Sequence, residues 1–249
     1  MASKLPSAMD VNLRSRECDT FTTLDTDWPV NWALEPRPVC RSRGLYISEL
    51  LRRITMGQII ITENISLDGV IQDPTGEEGF DRGGWFDRIS DKDREHWAQI
   101  ECAEAVAAEA LLLGRRSFEW FAPRWSPRRG EWADRLNTMP KLVVSSTLEN
   151  PAWQNSTVLN GDVLTEVTKL KQNTSGDIVV YASATLARTL IEHDLADELR
   201  LMIFPVVLGA GERLFGPTTD QKPMHRIGTR IVGDSLVLLT YRLRLGDIT

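Results

Sequence analysis

The chain has 249 residues, 42% of them hydrophobic and 26% charged, a globular composition that excludes a disordered, collagen-like or low-complexity polypeptide. A net charge of −6 argues against a general binder of nucleic acid or of anionic membrane surfaces. The scattered Cys18, Cys40 and Cys102 make no CxxC or Cys–His pair, so no zinc site and no metal are expected, and the pattern fits a reducing cytoplasm.

Residues 1–55 mix Pro6, Pro29, Pro36 and Pro38 with scattered charges, and only Leu45 to Ile54 suits a short helix. We expect a poorly ordered or non-native extension there, without an apolar signal core, followed by one folded domain over 56–249. Gln58–Ser66 is β-branched and reads as a buried strand. Ser90 opens a helix with Asp91 and Asp93 in its first turn, carrying Trp97, Ile100, Ala103, Val106 and Ala107. Leu111–Leu113 is a short strand ending at Gly114, and Arg115–Phe121 a helix expected to stop before Pro123. Lys141–Ser145 and Ile178–Tyr181 read as strands, with helices around Val163–Leu170 and after Ser183. Leu199–Leu208 and Ser235–Leu245 close the chain as two consecutive strands. Alternating elements followed by adjacent strands predict a mostly parallel α/β sheet with antiparallel C-terminal strands.

Ligands of open α/β sheets sit beyond the carboxyl ends of the strands. Three such ends carry small or hydroxyl residues: Gly114-Arg115-Arg116-Ser117, Val144-Ser145-Ser146-Thr147 and Tyr181-Ala182-Ser183-Ala184-Thr185-Leu186. Each alone is matched by a plain solvated helix start or turn; together they point to a dinucleotide. Ser66-Leu67-Asp68-Gly69 ends the first strand, where Asp68 either meets a polar heterocycle or only shapes a turn. The glycine-rich stretch to Trp85-Phe86 suits either a substrate lid or a surface loop with two core anchors. Arg124, Arg128, Arg129 and Arg135 interleave with Trp125 and Trp132, but Glu131 and Asp134 dilute this as a single-strand nucleic-acid platform. His96, His193 and His225 fall in no ligand spacing.

The order SLDG, LLLGRRSFE, KLVVSS, VVYASATLARTLI and LADELRLMIFPVVLGAGERLF resembles the dihydrofolate reductase-like superfamily, and most of all the C-terminal reductase domain of riboflavin biosynthesis. The resemblance runs from about Met56 to Leu245 and implies a three-layer α/β/α sandwich. It implies NADPH as cofactor, with Gly114, Arg115, Arg116 and Ser117 at its phosphates. Ser145 and Ser146 would take the adenosine ribose and its 2′-phosphate, and Ala182, Ser183, Ala184, Thr185 and Leu186 the pyrophosphate. Asp68, as the catalytic carboxylate, Gly69, Trp85 and Phe86 would lie near nicotinamide and substrate. The family usually has glycine where this chain has Ala182 and Ala184. No zinc-deaminase signature accompanies the domain. The expected activity is NADPH-dependent reduction of a small heterocycle or a phosphoribosylaminopyrimidine, in a cytoplasmic homodimer without nucleic-acid or membrane partners. The alternative is a non-catalytic nucleotide-binding or interaction protein on the same fold.

Overall fold

A computed structural model describes residues 56–243; the expectations for residues 1–55, and for the last six positions of the final strand's domain, lie outside them. Eight strands form a single sheet: β1 (Gln58–Ser66), β2 (Ala110–Gly114), β3 (Lys141–Val144), β4 (Ser156–Leu159), β5 (Asp177–Tyr181), β6 (Glu198–Phe204), β7 (His225–Val232) and β8 (Leu236–Arg242). Five helices join them: α1 (Asp91–Ala107), α2 (Arg115–Trp125), α3 (Glu131–Thr138), α4 (Val163–Asn173) and α5 (Ala184–Glu192). The strand order is β4-β3-β2-β5-β1-β6-β8-β7. Pairings from β4 through β6 are parallel, and β8 is antiparallel to both β6 and β7.

The central strand β1 is covered on both faces, which explains its near-continuous β-branched run. Ile59 and Ile61 pack with Val167 of α4 and with Leu190 and Ile191 of α5. Ile60 points the other way, among Ala105 of α1, Phe118 of α2 and Leu136 of α3. Helices on both faces of a mostly parallel sheet make the expected three-layer sandwich. A capping box between Ser90 and Asp93 starts α1. The buried Asp93 carboxylate also accepts from the amides of Asp234 and Ser235, tying α1 to the β7–β8 turn. Those hydrogen bonds outweigh burial and hold it well below the usual carboxylate range.

Five elements differ from expectation. Helix α2 continues through Pro123 to Trp125, because Phe118, Ala122 and Trp125 form one buried stripe. The Arg124 guanidinium donates to the Trp120 carbonyl in the same turn. Packing outweighs the local penalty for proline. Helix α3 was hidden by the arginine–tryptophan alternation. Strands β4 and β7 border the sheet, β4 part-buried and β7 mostly exposed, so neither shows a buried period. β6 ends at Phe204, ahead of Pro205, rather than at Leu208.

Candidate active site

Because β1, β2, β3 and β5 run parallel, their carboxyl ends share one edge, and a cavity of about 450 Å³ opens over it. Its outer end is built from two helix starts. The Gly114 amide donates to Ser183 Oγ at 3.0 Å, and the Ser183 amide donates to Ser117 Oγ at 2.9 Å. Ser183 stands at the N-cap position of α5 but gives it no side-chain cap: its hydroxyl serves Gly114 and the Tyr181 carbonyl instead. Neither α2 nor α5 has a side-chain cap, so their first amides face the cavity without one.

Ala182 (φ 50°) and Ser183 (φ 64°) are successive left-handed residues, a conformation that costs about 1–2 kcal/mol each for a residue with a Cβ. Such strain clusters where a backbone must present amides to a ligand. The departure from glycine thus bears on Ala182; Ala184 is the first residue of α5 and carries no such strain. Arg115 pairs with Glu119 at 2.8 Å and donates to Thr147 Oγ1, while Arg116 pairs with Glu78. Free helix-start amides, a left-handed turn and two arginines fit a diphosphate. The first and third expected pieces are thereby brought together. The second lies beside them: Ser145 Oγ accepts from the Thr147 and Leu148 amides, Ser146 is exposed, and neither lines the cavity.

Asp68 and Gly69 lie outside the cavity lining. The Asp68 carboxylate accepts from the amides of Leu208 (2.9 Å) and Gly209 (2.8 Å) and from Ser66 Oγ, which holds its pKa down to about 2. SLDG and LGAGERLF are therefore two halves of one clasp. Gly211 (φ +113°) belongs to it, since a Cβ there would meet Val70 Cγ1 at 2.8 Å. The stretch before Trp85 is wound around Asp73, whose carboxylate accepts from the Glu78 and Phe80 amides. Glu77 and Glu78 clamp it to Arg124 and Arg116 of α2. Trp85 is a core anchor, fully buried, its indole donating to the Gln72 carbonyl. Phe86, also buried, does line the cavity. Trp125 and Trp132 turn inward to line it too, so they form no outward nucleic-acid platform.

The inner end of the cavity was missed from sequence. Glu63 of β1 and Glu101 of α1 line it, 5% and 6% exposed, with Glu104 just below. Burial pushes the Glu63 carboxyl well above its ordinary range, helped by Glu101 and Glu212 and opposed by Arg188. Burial raises Glu101 likewise, with Glu104 adding and Arg200 opposing. Glu104 accepts from Thr62 Oγ1 and pairs with Arg200. Glu63 Oε1 and the indole nitrogens of Trp125 and Trp132 are buried without a hydrogen-bond partner. The Trp97 indole donates to Asn64 Oδ1 at 2.9 Å. Two signals were available: a glutamate inside IIITENIS, and Trp97, Glu101 and Glu104 recurring on one helical face.

With this geometry, similarity to known proteins falls into place. The uncharacterized protein YyaP of Bacillus subtilis (strain 168) is 31% identical over 190 residues, covering 74% of this chain and 94% of its own. A Shewanella sp. PV-4 protein provisionally assigned to riboflavin biosynthesis superposes with a TM-score of 0.61 at 19% identity, covering 76% of this chain and 99% of its own. The Thermotoga maritima diaminohydroxyphosphoribosylaminopyrimidine deaminase/5-amino-6-(5-phosphoribosylamino)uracil reductase gives a TM-score of 0.53 at 14% identity, over 81% of this chain and 60% of that one. At such identities the solved structures speak for the fold. The RibD C-terminal domain family matches residues 58–238, and the chain belongs to that family.

Proposed function

We propose that the protein is an NADPH-dependent reductase that holds the dinucleotide at the outer end of the cavity and a small heterocyclic substrate at the inner end. The observation that carries this reading is the pair of knitted helix starts, with left-handed Ala182–Ser183 facing Arg115 and Arg116. Gly114–Ser117 and Ala182–Leu186 would hold the diphosphate. Ser145 and Ser146, drawn close through the Arg115–Thr147 contact, would take the ribose and 2′-phosphate side. When bound, the dinucleotide supplies a hydride. The chain's own residues bind, orient and keep water out: Phe86, Trp97, Trp125 and Trp132 wall the inner end. Glu63 and Glu101, whose carboxyls burial pushes toward the protonated form, would place protons there. Asp68 fixes the loop behind this wall. The expected homodimer belongs to the same proposal, with outer strand β7 presenting Ile227 and Ile231 to a second copy. Among the described residues no helix is long and apolar enough to cross a membrane.

The test is calorimetric titration with NADPH and NADH, then NADPH oxidation over a panel of heterocycles that includes the phosphoribosylaminopyrimidine of riboflavin synthesis. Tighter NADPH binding with turnover of a panel member is expected. Equal affinity for the two dinucleotides, or no binding, would overturn the cofactor reading. Binding without turnover across the panel would favour the non-catalytic alternative.

A further inference from the structure

The connection between β1 and α1 is held to the rest of the molecule unevenly. The backbone–backbone hydrogen bonds of residues 73–84 stay within residues 73–87: the Gly76 and Gly84 amides donate to the Asp73 carbonyl, and the Gly83 amide donates to the Phe80 carbonyl. The base of this loop is tight, since a Cβ at Gly83 would lie 2.5 Å from Asp73 Oδ2. The tip is open. Glu77 and Glu78 sit between Gly76 (φ 74°) and Gly79 (φ 83°), and a Cβ at Gly79 would meet nothing within 4 Å. Two ion pairs reach from the tip to α2, Glu77 with Arg124 and Glu78 with Arg116.

The two pairs differ in where they lie. Glu78 and Arg116 both line the cavity, whereas Glu77 and Arg124 do not. The Arg116 side chain is 72% exposed and that of Glu78 31%. Arg115, the other arginine of the outer end, pairs with Glu119 on its own helix, so that pair joins nothing to the loop. An exposed carboxylate–guanidinium pair is weak, and a phosphate offers the same guanidinium more charge and more acceptor oxygens.

We propose that Glu78 is a displaceable stand-in for phosphate on Arg116: a diphosphate entering the outer end takes Arg116 from Glu78 and so releases the loop tip from α2, while the Glu77–Arg124 pair, off the cavity, holds. This deepens the reductase reading as regulation of the same site. It rests on that reading for the source of the diphosphate, a dinucleotide, and not for the exchange itself. Both partners are solvent-exposed, so the exchange strands no buried charge. Glu78 is thereby a built-in competitor for any anion that needs Arg116. By linkage, whatever removes the Glu78–Arg116 pair strengthens anion binding by the factor that the pair had weakened it. Pro74 and Thr75, next to the tip, also line the cavity, so release of the tip changes the shape of its mouth.

The experiment titrates the full chain calorimetrically with inorganic pyrophosphate and with NADPH. The proteins compared are the wild type, Glu78→Gln, Glu77→Gln, Arg116→Gln and the double variant Glu78→Gln/Arg116→Gln. Glu78→Gln is expected to bind pyrophosphate about threefold tighter than the wild type, the worth of an exposed ion pair, and Glu77→Gln to stay within about 1.5-fold. With Arg116→Gln in place, Glu78→Gln should gain less than about 1.5-fold, because no guanidinium is left to compete for, whereas a mere change in net charge would act in both backgrounds. Hydrogen exchange of residues 75–80 should rise in the wild type on addition of pyrophosphate and should start at the raised level in Glu78→Gln. No pyrophosphate binding, equal gains from Glu77→Gln and Glu78→Gln, a Glu78→Gln gain that persists without Arg116, or tip exchange that stays level or falls on binding overturns the proposal. If pyrophosphate behaves as expected and NADPH does not bind, the exchange stands and the reductase reading fails. If NADPH binds and is oxidised while Glu78→Gln alters neither affinity nor tip exchange, the reductase reading stands and the exchange fails.

Discussion

The two ends of the cavity differ in how they are made. The outer end uses contiguous residues: Gly114–Ser117 follow one strand, Ala182–Leu186 follow another, and each is a helix start whose amides point outward because of where it lies in the chain. The inner end takes Glu63 from β1, Glu101 from α1 and Trp125 and Trp132 from α2 and α3, and its electrostatics depend on burial that none of those segments has alone. The outer end is exposed and carries its two arginines in ion pairs with Glu119 and Glu78. The inner end is acidic and deeply buried, with polar groups left unpaired. A stretch of helix start can be recognised by its local pattern; a desolvated chamber exists only once the layers close over it.

Three substitutions sharpen that contrast. The largest effect is expected from Arg115→Ala. A charge-assisted hydrogen bond to phosphate contributes about 1.5–3 kcal/mol, so NADPH affinity should fall about tenfold or more while binding at the inner end stays within about twofold. Calorimetry of both ligands on the one variant checks this, and a parallel loss at both ends would show that the two regions are one coupled unit.

A smaller effect, of opposite sign, is expected from Glu63→Gln. The folded chain keeps this carboxyl protonated above its ordinary value of 4.5, so the native state binds more protons than the unfolded one. Its contribution is fully present below 4.5 and is lost as pH rises toward the folded value. Glutamine keeps the shape and has no proton to lose. The variant should melt with the wild type near pH 5 and above it near pH 8, by about 2–4 °C for each kcal/mol regained. A variant that melts lower at both pH values would mean that the ionised carboxylate is a structural partner.

The smallest effect on binding is expected from Asp68→Asn. Its carboxylate faces the Leu208 and Gly209 amides, outside both ends, so affinities for NADPH and for the inner-chamber ligand should change less than about twofold. Because Asp68 is held down to about 2, its stabilising contribution is present above 3.8 and lost as pH falls toward 2. The variant should therefore melt below the wild type at neutral pH and converge with it in acid. A loss of turnover with both affinities intact would instead give Asp68 the catalytic role that its place after the first strand led us to expect.

Much of the fold was legible because its signals are local. Gln58–Ser66 carries its burial in its composition, Ser90 and Asp93 announce the start of α1, and Gly114 and Tyr181 end strands before helices. What was not legible ran against local rules. Pro123 sits inside α2 because three buried side chains hold that helix together. Strand β7 reads as polar because its position at the edge of the sheet leaves it exposed. Asp68 looked catalytic by position, but whether it faces a ligand or a loop depends on residues 140 positions away in sequence.

By itself the sequence determined the alternation of strands and helices, the mostly parallel sheet and the helix starts after Gly114 and Ser183, since periodicity, capping and turn chemistry act over a few residues. Only the tertiary structure decided that Ala182 and Ser183 adopt the left-handed conformation, that Trp125 and Trp132 face inward, and that Glu63 and Glu101 share a desolvated chamber. The physical reason is that backbone strain and carboxyl protonation are both set by the surroundings. A glutamate is charged in the extended chain, and its carboxyl is pushed toward the neutral form only where packing has removed water from around it.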